Sequence, residues 1–119
     1  MDVKELGFTL LHLGINNADE AEGKQTAETL CALFGFESRE TPAAIFVNEQ
    51  FEVMKKKGLG ELGHVAIGTN NVEKAMEYLE GKGIAFDETT IGRNEAGRIR
   101  IVYFAQDIAG FRFHLSLIA

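Results

Sequence analysis

The sequence contains two copies of one short pattern, and this repeat limits the possible folds more than any other feature. His12-Leu-Gly-Ile-Asn-Asn17 resembles His64-Val-Ala-Ile-Gly-Thr-Asn-Asn71. Each copy begins with a histidine, continues as an apolar strand, ends in an asparagine pair and precedes a helical pattern. Such a repeat indicates two copies of one structural unit that must pack together, because neither unit can bury its apolar face alone.

Each copy is followed by the signals of one helix and three strands. Apolar residues recur at helical spacing within residues 21–34 and 72–79. Asn16, Asn17 or Asp19 is the candidate N-cap of the first helix, which Gly35 follows. Asn70 or Asn71 is the candidate N-cap of the second helix, which Gly81 and Gly83 follow. Strand-like runs then occupy 36–40, 43–47 and 51–55, and again 84–91, 98–104 and 111–117. The 119 residues therefore predict one α+β domain of two paired βαβββ modules, about 6–57 and 62–119.

Alternation along the strands predicts that four polar residues share one face. In the first strand, the predicted aliphatic face consists of Thr9, Leu11, Leu13 and Ile15. The opposite face, which carries the histidine, consists of Phe8, Leu10, His12 and Gly14. His64, Glu52 and His114 alternate with apolar neighbours in the same way. If the aliphatic faces pack on the helices, all four polar side chains point to the opposite, concave side.

These four residues form a normal ligand set for one divalent transition metal. His12, His64 and His114 are the only histidines of the chain. Together with Glu52 they suit zinc, nickel, cobalt, manganese or iron. The alternative is a scaffold without a metal, in which each histidine is an ordinary core or surface residue.

Composition excludes several other classes of function. The net charge is −6, and the one basic run, 55–57, is short, so no nucleic-acid partner is expected. No apolar stretch approaches the roughly 20 residues that cross a bilayer, so no membrane partner is expected either. The single cysteine, Cys31, forms no intrachain disulfide and is expected to be a small core residue of the first helix. With no signal-peptide pattern at the N-terminus, the prediction is a cytoplasmic protein.

The repeat and its ligands resemble the vicinal-oxygen-chelate superfamily, which includes glyoxalase I, methylmalonyl-CoA epimerase, extradiol dioxygenases, and antibiotic-resistance proteins of the bleomycin and fosfomycin type. The resemblance lies in Leu11-His-Leu-Gly-Ile15, Gly63-His-Val-Ala-Ile67, Asn48-Glu-Gln-Phe-Glu-Val53 and Phe104-Ala-Gln-Asp-Ile-Ala-Gly-Phe-Arg-Phe-His-Leu115. It implies a cupped mixed sheet around a metal, with the helices on the outer face. More narrowly, the chain resembles a glyoxalase-like domain associated with 2-dehydro-3-deoxyphosphogluconate aldolase, which implies a sugar-acid or 2-oxo-acid ligand.

The resemblance implies a metal-dependent lyase or isomerase that acts on a small oxo or hydroxy carbonyl compound through a metal-stabilised enediolate. Glu52 or His114 is then the catalytic base. The last ligand position is His114, where glyoxalase I-like enzymes have a glutamate, and this argues against glyoxalase I itself. The alternatives are an extradiol-type dioxygenase and a metal- or ligand-binding module without turnover.

Further residues are expected to bind the small-molecule substrate. Arg112, and Arg100 or Arg98 on the neighbouring strand, are candidates for a substrate carboxylate or phosphate, with a salt-bridged surface role as the alternative. Tyr103, Met54 and Phe46 are candidates for the pocket lining, with a core role as the alternative. Relatives in the superfamily often dimerise, so a homodimer is also predicted.

Overall fold

The computed structural model describes residues 2–118, which form one mixed sheet and two α-helices. Met1 and Ala119, the ends of the predicted domain, lie outside the described residues. After a 3₁₀ helix, Val3–Leu6, the elements are β1 (Thr9–Ile15), α1 (Glu20–Phe34), β2 (Ser38–Glu40), β3 (Ala44–Val47), β4 (Phe51–Met54), β5 (Gly63–Thr69), α2 (Val72–Glu80), β6 (Phe86–Arg93), β7 (Ile99–Ile108) and β8 (Phe111–Leu117). This order confirms the predicted α+β fold with one βαβββ unit in each half of the chain.

The two halves join at the centre of the sheet. The strand order is β2-β3-β4-β1-β5-β8-β7-β6, so the first four strands form one side and the last four the other. β1 and β5 pair antiparallel at the junction, while β4 runs parallel to β1 and β8 runs parallel to β5. The two last strands of the halves therefore flank the two first strands, which places all four predicted ligand strands side by side.

Both helices begin and end where the sequence predicts. The Asp19 side chain accepts a hydrogen bond from the backbone N–H of Glu22, and Asn71 caps α2 through the N–H of Lys74. α1 ends at Gly35, whose φ of 70° lies in the left-handed region that glycine adopts without a Cβ clash. Of the described helices, neither is long and apolar enough to span a membrane.

The helices pack on the strands that lie between the central β1–β5 pair and the two edge strands. α1 packs on β3 and β4, and α2 packs on β7 and β8. Two hydrophobic clusters result. The cluster under α1 contains Ala27, Ile45, Val47 and Val53. The cluster under α2 contains Leu6, Val72, Ala75, Met76, Ile99, Val102, Phe104 and Leu115. Cys31 is half-buried against the first cluster, which agrees with its expected packing role.

The predicted faces are wrong at the start of β1. The pairing of β1 with β5 skips one residue at Leu11, which forms a β-bulge. Thr9 therefore lies on the face that carries His12, whereas Leu10 and Phe8 lie on the helix side, where Phe8 packs against the α2 cluster. Strict alternation cannot anticipate one inserted residue, but the face of His12 itself is as predicted.

Candidate metal centre

The four predicted ligands lie on the four strands in the middle of the sheet. Glu52 is on β4, His12 on β1, His64 on β5 and His114 on β8, and these strands are neighbours in that order. Glu52 pairs with Gly14 across β4 and β1, and Gly14 pairs with His64 across β1 and β5. Because residues directly opposite each other share a face, the structure brings together the side chains that alternation predicts on one face.

Three of these side chains meet within hydrogen-bonding distance. His64 Nε2 lies 3.3 Å from His12 Nε2 and 2.8 Å from Glu52 Oε1. His12 Nε2 lies 3.3 Å from the same carboxylate oxygen. His114 completes the group, since one nitrogen from each of the three imidazoles lies within 4.8 Å of the others.

These distances fit the ligands of a single ion. When each ligand atom is about 2.1 Å from a metal, neighbouring ligand atoms lie roughly 3.0–3.4 Å apart in tetrahedral and octahedral geometry. The separations among His12, His64 and Glu52 are already close to that range. A shift on the order of 1 Å at His114 brings the fourth donor to the same spacing. The donor set therefore fits a divalent transition metal.

The two imidazoles strongly stabilise the charged form of Glu52. Hydrogen bonds from His12 and His64 lower the pKa of Glu52 to about 2, against the opposing effect of burial. About a fifth of the Glu52 side chain is exposed. Glu52 is therefore a carboxylate at neutral pH, and it faces both the imidazoles and the open side of the site.

His114 is almost fully buried, with 4% of its surface exposed. Ser116 Oγ lies 3.2 Å from its Nδ1, and the Tyr103 ring lies over it with 4.6 Å between the ring centroids. Burial, and then the nearby His64 and His12, lower the pKa of His114 to about 4. His114 is therefore a neutral imidazole at physiological pH, which is the form that binds metals.

Gly14 provides the space that the site needs. A Cβ at this position would overlap the His64 ring, which lies directly over the Gly14 backbone. The sequence predicts Gly14 on the face of His12, and its lack of a side chain leaves this space for the His64 ring.

The residues predicted to line the pocket differ in their distance from the ligands. Tyr103 pairs with His114 across β7 and β8 and is half-buried beside it. Phe46 pairs with Glu52 across β3 and β4, and its ring meets the His12 ring edge-on with 5.7 Å between centroids. Met54 alternates with Val53, a residue of the α1 cluster, and so lies on the Glu52 face of β4, where it is half-buried.

The structure shows the salt-bridged alternative for two of the three arginines. Arg112 shares the face of His64, but its Nε donates a 2.7 Å hydrogen bond to Asp107, and this lowers the pKa of that carboxyl group. Arg98 instead forms a salt bridge with Glu73 of α2, on the helix side of the sheet. Arg100 is exposed on β7, and its guanidinium lies beside β6.

Two polar residues near the ligands were missed by sequence reasoning. Ser116 lies two residues after His114 on the same strand. Because residues i and i+2 share a face, the sequence could have placed Ser116 beside His114. Arg39 of β2 lies over the Phe46 ring, with its guanidinium carbon 4.7 Å from the ring centroid. No sequence signal pointed to Arg39, because its position depends on the register between β2 and β3.

Comparisons with known proteins bear on the fold. No family model matches the sequence, and no curated protein is similar enough to match it. A hypothetical protein, BH1468 from Bacillus halodurans C-125, has a crystal structure that matches with a TM-score of 0.63 at 15% identity, over 94% of this chain and 95% of that chain. A methylmalonyl-CoA epimerase in complex with methylmalonyl-CoA and NH4+ matches with a TM-score of 0.59 at 20% identity, over 93% and 96% of the two chains. The chain has the vicinal-oxygen-chelate fold.

A second epimerase structure extends this likeness. A single-residue variant of Streptomyces coelicolor methylmalonyl-CoA epimerase, in complex with 2-nitronate-propionyl-CoA, matches with a TM-score of 0.56 at 19% identity, over 92% of this chain and 96% of that chain. Each comparison covers nearly the whole of both chains, so the vicinal-oxygen-chelate fold accounts for the complete arrangement of strands and helices. At these identities the likeness establishes the fold, and the chemistry of the site has to be argued from the residues themselves.

Proposed function

We propose that this protein is a metal-dependent isomerase or lyase that acts on a small oxo or hydroxy carbonyl compound. The observation that carries the proposal is the convergence of three imidazole nitrogens and the Glu52 carboxylate from four adjacent strands. Two structures with the same fold are methylmalonyl-CoA epimerases in complex with thioester compounds, which supports an isomerase with a carbonyl substrate.

In this proposal His12, His64, His114 and Glu52 hold one divalent transition metal. The bound ion supplies Lewis-acid stabilisation of the negative charge that develops on a carbonyl oxygen. Ser116 would fix the orientation of the His114 ring through Nδ1 and leave Nε2 available to hold the ion. Four protein donors leave positions for two substrate oxygens on an octahedral ion, but none on a tetrahedral one.

Glu52 is the proposed catalytic base, with His114 as the other candidate. A base must reach the substrate, and Glu52 is more exposed to the cup than the nearly buried His114. Glu52 would help to hold the ion and would also accept the proton. His114 is confined between Tyr103 and Ser116, which suits a ligand better than a group that moves.

The substrate is proposed to lie between the aromatic walls of the cup. In this proposal Tyr103 and Met54 line the substrate on its two sides. Arg100 provides a positive charge at the exposed edge, and Arg112, which is paired with Asp107, provides a second one. The homodimer, the cytoplasmic location and the association with an aldolase-like domain, with the sugar-acid or 2-oxo-acid ligand that it implies, remain proposals of the same kind.

Metal binding tests the first part of the proposal. Protein purified without an affinity tag is titrated anaerobically with zinc, nickel, cobalt, manganese and iron(II). We expect one equivalent of at least one metal, and we expect His64→Ala to weaken its binding by roughly a hundredfold or more. Binding of less than a tenth of an equivalent of every metal would contradict the proposal.

Proton exchange tests the second part. The metal-loaded protein is incubated in D₂O with 2-oxobutanoate, hydroxyacetone or methylmalonyl-CoA, and the loss of the C–H signal next to the carbonyl is followed by NMR. We expect metal-dependent exchange with at least one compound, slowed roughly a hundredfold in Glu52→Gln but unchanged in Glu28→Gln, an exposed control on α1. Metal binding without exchange of any compound would instead favour a binding module.

A further inference from the structure

A row of side chains crosses the first half of the sheet from its edge to the metal ligands. Arg39 on β2 pairs with Phe46 on β3, and Phe46 pairs with Glu52 on β4. Cross-strand partners share a face, so all three side chains lie on the face that carries the ligands. The row therefore places the backbone of Arg39 two strands from that of Glu52, roughly 10 Å away at the usual spacing between strands. The positively charged guanidinium lies over the intervening Phe46 ring.

Arg39 is held in this position by two contacts. Its guanidinium carbon lies 4.7 Å from the centroid of the Phe46 ring. Its Nη2 and Nε donate to the two carboxylate oxygens of Glu49, at 2.9 and 3.4 Å. A guanidinium has five N–H donors, and about half of the Arg39 side chain is exposed, so further donors are open to a second anion. The Phe46 ring under the guanidinium also meets the His12 ring, so Arg39 lies on the His12 side of the site.

The equivalent position in the second half has the opposite charge. Tyr103 pairs with His114, just as Phe46 pairs with Glu52. Tyr103 also pairs with Asp87 of the edge strand β6, which therefore corresponds to Arg39. One wall of the cup therefore ends in an arginine and the other in an aspartate. Even with Glu49 paired to Arg39, an anionic group would meet open N–H donors at Arg39 but a second carboxylate at Asp87, so the Arg39 side is the more favourable one.

We infer that Arg39 binds a second, distal anionic group of the substrate, a carboxylate or a phosphate, while the reacting carbonyl lies at the metal ligands. This inference rests on the proposed function and narrows its substrate class to carbonyl compounds with an anion at the far end. Because the two backbones are roughly 10 Å apart and the guanidinium lies over the Phe46 ring between them, a chain of about five carbons can reach from the metal ligands to Arg39. The apolar middle of such a compound lies along the Phe46 ring.

Binding of matched compounds to the metal-loaded protein tests the inference without requiring turnover. 2-Oxoglutarate has the distal carboxylate, 2-oxopentanoate lacks it, and the distal phosphonate analogue of 2-oxoglutarate represents a phosphate. In calorimetric titrations we expect at least one of the two dianionic compounds to bind roughly tenfold tighter than 2-oxopentanoate, the effect of one charge-assisted contact. The one that binds tighter identifies the anion.

Variants of Arg39 assign this preference to the guanidinium. Arg39→Ala is expected to remove the roughly tenfold preference and to leave the affinity for 2-oxopentanoate and for the metal unchanged, while Arg39→Lys retains part of the preference. Arg93→Ala removes the same charge from an exposed position on β6, and this variant is expected to keep the full preference for the distal anion.

Three results would overturn the inference. Two of them leave the proposed function intact, and the third also contradicts its substrate class. If wild-type protein binds 2-oxopentanoate as tightly as both dianionic compounds, or if Arg39→Ala retains the preference, the inference fails and the metal-dependent function stands. If metal-loaded wild-type protein binds none of the three compounds, the inference and the proposed 2-oxo substrate class fail together.

Discussion

At the scale of single residues, the site depends on a glycine as much as on its ligands. The His64 ring occupies the space that a Cβ at position 14 would need. We predict that Gly14→Ala displaces this ring, lowers metal affinity at least about tenfold and costs roughly 1–3 kcal/mol of unfolding free energy. Metal titration and urea denaturation measure the two effects. Gly58→Ala is the matched control, since the nearest atoms to its Cβ lie at an ordinary 3.7 Å, and equal effects of the two substitutions would contradict the prediction.

The depressed pKa values of two ligand residues predict how the metal-free protein responds to acid. His114 titrates near 4 in the folded protein and at its ordinary pKa of 6.5 when unfolded, so the unfolded chain binds more protons between these values. Stability therefore falls as the pH drops from 6.5 to 4, by on the order of 3 kcal/mol from this group. Glu52, with a folded pKa of about 2 against 4.5, adds a further loss as the pH drops below 4.5.

Denaturant unfolding of the metal-free protein at a series of pH values measures this dependence. In His114→Gln, the part of the slope between pH 6.5 and 4 that belongs to His114 should disappear, while the loss below pH 4.5 remains. A variant with the same pH dependence as the wild type would show that another group causes it.

At the scale of elements, the start of each helix is fixed by its capping side chain. Asp19 accepts the Glu22 N–H, and the Glu22 carboxylate accepts in return from the N–H of Ala18. Asp19→Ala should therefore cost about 1 kcal/mol of unfolding free energy, measured in urea. Glu28→Ala, at an exposed position of the same helix, should change it by less than about 0.5 kcal/mol. If both substitutions have the same small effect, the cap does not stabilise α1.

The elements also show how far sequence reasoning reaches. The helix caps, the last strand and the four ligand positions follow from local patterns that a single strand or helix contains. The bulge at Leu11, the pairing of Arg112 with Asp107 and the position of Arg39 over Phe46 depend on register between strands, which no local pattern encodes. β7 also extends to Ile108, beyond its predicted end at residue 104, because Asp107 and Ile108 continue the pairing with β8.

At the scale of the whole molecule, the four ligands come from one chain, although they belong to both halves. The connection between the halves is fixed by hydrogen bonds: Asn16 binds the backbone of Gly58 and Gly60, and Asp107 accepts the N–H of Glu61. We therefore expect β1 and β5 to pair within the chain rather than through an exchange of halves between two chains.

A complementation experiment tests the intrachain site. We predict that a co-expressed mixture of His12→Ala and His64→Ala chains binds no more metal than either variant alone, because no chain retains all its ligands. Wild-type protein should bind one metal per chain, by native mass spectrometry, at concentrations where any dimer has dissociated. Recovery of tight binding in the mixture would show that halves are exchanged between chains.

The two walls of the cup occupy equivalent positions but differ in chemistry, and this has a stereochemical consequence. Phe46 with Glu52 on one side corresponds to Tyr103 with His114 on the other. Identical walls would admit a flat molecule equally well in two orientations that present its opposite prochiral faces. Because the carboxylate of Glu52 corresponds to the imidazole of His114, the two orientations are no longer equivalent, and in the proposed reaction Glu52 would remove a proton from a single face.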